Sequence, residues 1–170
     1  MTKRTPLLIG LLLLPLGCGS PTGLQPSESC SGQPANAIVT FEDANLEAAV
    51  RRALFVGAQD DLTCGLVSGE TVVTARSAGI ESLVGIQNLT SLRRLLLDEN
   101  SISDISALSG LTNLGFLGLS NNPNLTDIQP LLDNTGIDAG DTVDLQATNV
   151  SCTDVDALRA KQVHVFTQCP

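Results

Sequence analysis

Beyond Cys18, four cysteines punctuate the chain at Cys30, Cys64, Cys152 and Cys169, and an even set in an exported chain favours disulfides. Four cysteines allow three pairings. Cys30 with Cys64 and Cys152 with Cys169 is the expected one, because each pair closes one end of the domain locally. A four-thiolate zinc site is the alternative, but no C-x-x-C pair exists to preorganise it. The single histidine, His164, stands in "VHVF", where alternation predicts a surface strand residue. A triad or a histidine-based metal centre needs a second such group, and none is present. Asp60 with Asp61, and Asp98 with Glu99, could recruit a cation, but neither pair has the D-x-D-x-D-G spacing of a calcium loop. They read as solvated loop charges. Three N-x-S/T sequons begin at Asn88, Asn124 and Asn149. No catalytic, metal or cofactor constellation is therefore expected, and chemistry must be sought in recognition.

The start of the chain, "MTKRTPLLIGLLLLPLGCGS", has a short basic region, an apolar run from Leu7 to Leu16 and then small residues around a cysteine. Residues 1–17 are expected to be a signal peptide, since the run is too short for a permanent span. The end of it resembles a bacterial lipobox, with Gly17 and Cys18 in place and Pro15 three before the cysteine, flanked by Leu14 and Leu16. That resemblance implies diacylation of Cys18 and a membrane-anchored lipoprotein of the bacterial cell envelope. Gly19 carries no Asp-type retention cue, so an outer-membrane destination is preferred; simple secretion is the alternative, and a bacterial context argues against glycosylation at the sequons. Acidic residues outnumber basic ones 18 to 9, and losing Lys3 and Arg4 with the signal would take the net charge from −9 to about −11. Such a surface repels phosphate backbones. With four Phe and no Trp or Tyr, bases also have few stacking partners, so no nucleic acid is expected as a partner.

Positioning elements follow along the chain. Residues 18–36, rich in Ser, Pro and Gly, are expected to be a flexible tether for the lipid anchor. Residues 37–70 form an N-terminal cap: "FEDANLEAAVRRALF" spaces Leu46, Ala49, Val50, Ala53 and Leu54 as one helix face, with Asp43 as N-cap. Over residues 71–150 the apolar positions recur every 22 residues. Leu89, Leu92, Leu95, Leu97 and Asn100 are matched by Leu111, Leu114, Leu117, Leu119 and Asn122. Val73, Ala75, Ala78 and Ile80 fill the same slots one period earlier; Val143, Leu145 and Thr148 do so later, after an insertion around "NTGIDAGD". Period and pattern are the leucine-rich-repeat signature, in which strand side chains point inward and an amide at the strand exit satisfies backbone groups of adjacent coils. One coil cannot bury its apolar edge, so the coils must stack. Residues 151–170 follow the last repeat.

"FEDANLEAAVRRAL", "LTSLRRLLLDENSISDISALSG" and "LTNLGFLGLSNNPNLTDIQPL" together resemble short bacterial leucine-rich-repeat proteins of the internalin-like kind, and "NxIxDIxxL" from Asn100 to Leu108 is a mark of that branch. The resemblance spans about Val39 to Val150. It implies an α/β fold, a leucine-rich-repeat solenoid of about four short parallel strands with a helical N-terminal cap and a C-terminal cap over residues 151–170, in which a short helix and a strand cover the last coil. It also implies a non-enzymatic role, the binding of an unidentified protein partner through the concave sheet. Ala78 and Thr148 replace Asn, so the amide ladder is expected to be two residues long.

The strand register turns this into residues. If Leu95 and Leu97 face the core, then Arg94, Leu96 and Asp98 face outward, with Val72, Thr74 and Arg76 on one side and Phe116, Gly118 and Ser120 on the other. Thr142, Asp144 and Gln146 complete the array. Arg94, Leu96, Phe116 and Asp98, with space left by Gly118, form the expected partner-binding patch, and Asp98 is also expected to pair with Arg76 across the sheet. A structural or self-associating envelope lipoprotein is the alternative function.

Overall fold

The computed structural model describes residues 23–170. The expected signal peptide and Cys18 lie outside the described residues. Among them, five three-residue strands form one parallel sheet in chain order: β1 (Val72–Thr74), β2 (Arg94–Leu96), β3 (Phe116–Gly118), β4 (Thr142–Asp144) and β5 (His164–Phe166). Helix α1 (Ala44–Leu54) and the short α2 (Cys64–Val67) precede the sheet. The return legs on the convex side are 3-10 turns at Ile86–Asn88 and Ser106–Leu108, then α3 (Gln129–Asp133) and α4 (Cys152–Ala160).

Register explains the period. Val73, Leu95, Leu117, Val143 and Val165 pair in one row across all five strands. Leu95 and Leu97 are fully buried, and so are Leu89, Leu92, Ile102 and Leu108, which line the rest of that coil. The step from β3 to β4 is 26 residues, 116 to 142, rather than 22, and the extra chain forms α3 and the loop after it. From β4 to β5 the step returns to 22, 142 to 164. The strand expected in the C-terminal cap thus joins the four repeat strands in one sheet, and the cap is a fifth coil.

At the exits of β1 to β4 the backbone must swing off the sheet, and it does so through one left-handed residue: Ser77 (φ 48°), Glu99 (61°), Asn121 (56°) and Ala147 (53°). Immediately after this corner comes the amide position. Asn100 Oδ1 accepts from the Ala78 and Ile80 amides at 3.1 and 3.0 Å, while its Nδ2 donates to the Ala75 and Leu97 carbonyls at 2.8 Å each. Asn122 repeats this one coil on, accepting from Ile102 N–H at 3.0 Å and donating to Leu97 and Leu119 carbonyls at 3.0 and 2.9 Å. Each amide therefore ties two coils together where sheet pairing has ended. Thr148 serves its own coil alone, its hydroxyl donating to the Leu145 carbonyl at 2.7 Å.

Two further buried asparagines lie outside the expected ladder. Asn88 accepts from Cys30 N–H at 2.7 Å and donates to the Glu28 carbonyl; at 1% exposure its amide is no surface sequon. Asn134 donates to the Leu108 and Leu111 carbonyls and accepts from Gly136 N–H, closing the long third coil onto the second.

The caps complete the solenoid. Asp43 is the N-cap of α1, with Oδ1 accepting from Asn45 and Leu46 N–H, and its Oδ2 accepts from Glu81 N–H at 2.8 Å and Ser82 N–H at 3.3 Å. One carboxylate thus joins the cap helix to the first repeat. Desolvation would raise its pKa, but the donors from Glu81, Leu46, Ser82 and Asn45 together outweigh it and hold the carboxyl below its ordinary value. Disulfides join Cys30 to Cys64 and Cys152 to Cys169. The expected flexible tether over residues 18–36 is not what its described part shows. Leu24 is buried, its N–H donates to the Ile38 carbonyl, and Gln87 Nε2 donates to the Pro26 carbonyl at 2.7 Å. Composition reported few large apolar residues correctly, but one leucine, backbone hydrogen bonds and a disulfide suffice to dock the segment. At the other end Lys161 Nζ donates to the Leu131, Leu132 and Asn134 carbonyls at 3.3, 3.1 and 2.7 Å, an ammonium capping α3.

Candidate recognition surface

Alternation along three-residue strands places two rows of side chains on the outward face of the sheet. The first row is Val72, Arg94, Phe116, Thr142 and His164, and the second is Thr74, Leu96, Gly118, Asp144 and Phe166. Just beyond the strands a third line contains Arg76, Asp98 and Ser120. Each residue here was placed by the repeat, because a single slip in register would have sent it into the core.

Not all outward positions are open. Arg94 is exposed, and its guanidinium carbon stands 5.4 Å from the centroid of the Phe116 ring, a cation–π stack between directly paired positions. Phe116 and Leu96 are half-buried. Leu96 pairs laterally with Thr74 and Gly118, so it meets Phe116 on the diagonal, one row apart, rather than side by side. The patch is an oblique line running Val72, Arg94 and Phe116 along one row, with Leu96 behind.

Asp98 departs from the expected exposed role. It is 7% exposed, and its carboxylate accepts from Arg76 Nε at 2.7 Å, Ser120 Oγ at 2.8 Å and Ser120 N–H at 3.2 Å. It lies over Gly118, where an added Cβ would come within 2.8 Å of both carboxylate oxygens. The space expected beside Phe116 is therefore filled by Asp98 from the neighbouring strand. Gly118 makes room for an ion pair within the sheet, and Arg76, more than half exposed, remains the side chain that meets solvent.

Three exposed residues extend the surface. Val72 is 44% exposed and Phe166 54%, so apolar side chains stand at both ends of the sheet as well as at its middle. Arg93, just before β2, joins Arg94 at the rim of a groove of about 640 Å³ along the strand N-termini, with Phe116 and Asp141 across from them. Val72 was readable from the register, and Phe166 from the 22-residue step beyond Asp144. Arg93 belongs to no outward row, so the alternation gave no signal for it. His164 is exposed in the first row next to Thr142. Among the described residues no group of three or more His, Cys, Asp or Glu side chains could hold a metal ion, and no helix is long and apolar enough to cross a membrane.

Residues 80–133 match the family model for leucine rich repeats in two copies. Among solved structures, an internalin (inlF) from Listeria monocytogenes is 29% identical with a TM-score of 0.65, over 74% of this chain and 36% of that one. The chain thus spans about a third of the length of that internalin. A second Listeria monocytogenes internalin (inlC2) shares the fold at 23% identity and a TM-score of 0.51, over 79% of this chain and 69% of that one. No curated protein matches the chain. Repeats, caps and these likenesses agree on the fold: the chain is a leucine-rich-repeat solenoid similar to the internalins.

Proposed function

We propose that this chain is a non-enzymatic protein-binding module of the bacterial cell envelope, held to a membrane by a lipid on Cys18 and engaging a protein partner through the outward face of its sheet. The observation that carries the reading is the set of apolar side chains left open on that face: Val72, Leu96, Phe116 and Phe166 stand among polar neighbours instead of in the core. Anchors of this kind, ringed by polar groups, are where binding energy concentrates. Arg94, Leu96 and Phe116 form the centre of the contact, and Asp98 contributes by fixing Arg76 rather than by touching the partner.

The test is capture from an envelope extract with wild type and with Leu96→Ser combined with Phe116→Ser. The double variant should lose the partner while its unfolding free energy falls by no more than about 1 to 2 kcal/mol, since both side chains are only half-buried. Undiminished capture by a folded double variant refutes the proposal. Anchoring has its own check, because Cys18→Ser should abolish metabolic labelling with a fatty acid and release the chain from the membrane fraction.

A further inference from the structure

Among the described residues four of the seven Lys and Arg side chains are engaged, and Arg52 stands alone and exposed on α1. Arg51 pairs with Glu47, Arg76 with Asp98 and Arg159 with Asp156, and Lys161 is taken up by three carbonyls. Arg93 and Arg94 are different. They are consecutive, both exposed, and neither has a carboxylate partner among the described residues. Both line the groove at the strand N-termini, and Arg94 is oriented by its stack on Phe116.

Backbone groups in this groove are already committed. Gly115 and Phe116 N–H donate to the Arg93 carbonyl, Arg93 and Arg94 N–H to the Thr71 carbonyl, and Thr71 and Val72 N–H to Glu70 Oε1. Asn113 Nδ2 donates to the Thr90 carbonyl. The free charged donors left to meet a ligand are therefore the two guanidinium groups, beside the Phe116 ring and the exposed Val72 side chain.

We infer that this groove binds an extended, acidic segment of the protein partner, with Asp or Glu carboxylates on Arg93 and Arg94 and an apolar side chain against Val72 and Phe116. The inference rests on the protein-binding reading above and names the chemistry of the partner. Guanidinium forks match carboxylates bidentately, and two unpaired ones inside a strongly negative chain form a local reversal of sign that selects an acidic partner against the field of the rest. Asp141 on the far side of the groove, whose Oδ2 accepts from Asp138 N–H at 3.0 Å, confines the acidic side chains to the arginine rim.

The test uses fluorescent peptides of alternating Glu and Val, Lys and Val, or Gln and Val, titrated against the full chain at low salt. The Glu–Val peptide should bind, and tighter than the other two. Arg93→Glu with Arg94→Glu should weaken it at least about tenfold and transfer the preference to the Lys–Val peptide. Arg93→Gln with Arg94→Gln, which adds no charge, should weaken it without that transfer, and circular dichroism verifies that both variants fold. Absence of Glu–Val binding, equal binding of all three peptides, or an unchanged preference in the Glu variant overturns the inference. Partner capture that persists in these arginine variants but is lost with Leu96→Ser and Phe116→Ser would overturn the inference alone and leave the binding reading standing.

Discussion

Replacing Asp43 by Ala removes a carboxylate that serves four backbone donors in two elements at once. Losing the N-cap of α1 costs about 0.5 to 2 kcal/mol. The bonds to Glu81 and Ser82 N–H are charge-assisted and would each contribute about 1.5 to 3 kcal/mol if buried, but Glu81 is exposed and water can replace much of that. The expected loss is about 2 to 3 kcal/mol at neutral pH. Asp43→Asn should lose roughly half as much, since one amide oxygen can serve the helix cap or the repeat but not both. Urea unfolding followed by far-ultraviolet circular dichroism measures this, the chain having no Trp or Tyr to report by fluorescence. The pH dependence gives an independent reading. The folded-state pKa of Asp43 lies below its ordinary 3.8, so the unfolded chain takes up the proton first. Its stabilisation is present above the unfolded value and is lost as pH falls through the folded one. The gap between wild type and Asp43→Asn should therefore be constant from about pH 5 to 7 and close below about pH 4. An Asp43→Ala variant within about 0.5 kcal/mol of wild type at pH 7, or a gap that persists in acid, refutes the idea that this carboxylate joins cap to repeat.

Two other changes probe the stacking itself. Asn122→Leu keeps the branched outline of the side chain but strands the Ile102 amide and the Leu119 carbonyl in a dry interior and takes from the Leu97 carbonyl one of its two amide donors; about 2 to 4 kcal/mol should be lost in the same urea assay, and a loss below about 1 would mean the ladder is dispensable. Gly136→Ala drives a Cβ into the Thr112 carbonyl, where backbone must move. A fall in melting temperature of more than about 5 °C is expected, and an unchanged one would show that the third coil is loosely seated on the second.

Much of the fold was legible because a solenoid writes its geometry into a period. The slots from Leu89 to Asn100 recur at Leu111 to Asn122, and the structure stacks those positions in register. What the period could not give was where it stops. Val165 sits one period after Val143, yet its flanks carry none of the leucines that mark a return leg, because an outer coil covers its core with α4 and a disulfide instead. The N-terminal segment was misread for a related reason. Composition measures how much apolar surface a segment can bury by itself, whereas residues 23–36 borrow a surface already formed, with Leu24 on the cap and the Asn88 amide accepting from Cys30 N–H.

The recognition surface was legible only in part, and the missing information is lateral. Alternation along one strand says that Arg94, Leu96 and Asp98 share a face, but exposure on that face depends on which neighbour stands beside each. Gly118 decides the matter for Asp98. Lacking a Cβ, it lets the carboxylate lie across β3 and reach Ser120, so a residue expected to meet a partner becomes a support for Arg76. Phe116 decides it for Arg94 in the opposite sense, since the ring holds the guanidinium above the sheet without neutralising it. Two arginine–acid or arginine–aromatic contacts on adjacent strands thus have different consequences: the ion pair closes the surface around Asp98, and the stack keeps a positive charge available. The open chemistry of the face therefore concentrates toward the strand N-termini, around Val72, Arg93, Arg94 and Phe116, and away from the amide ladder at the strand exits.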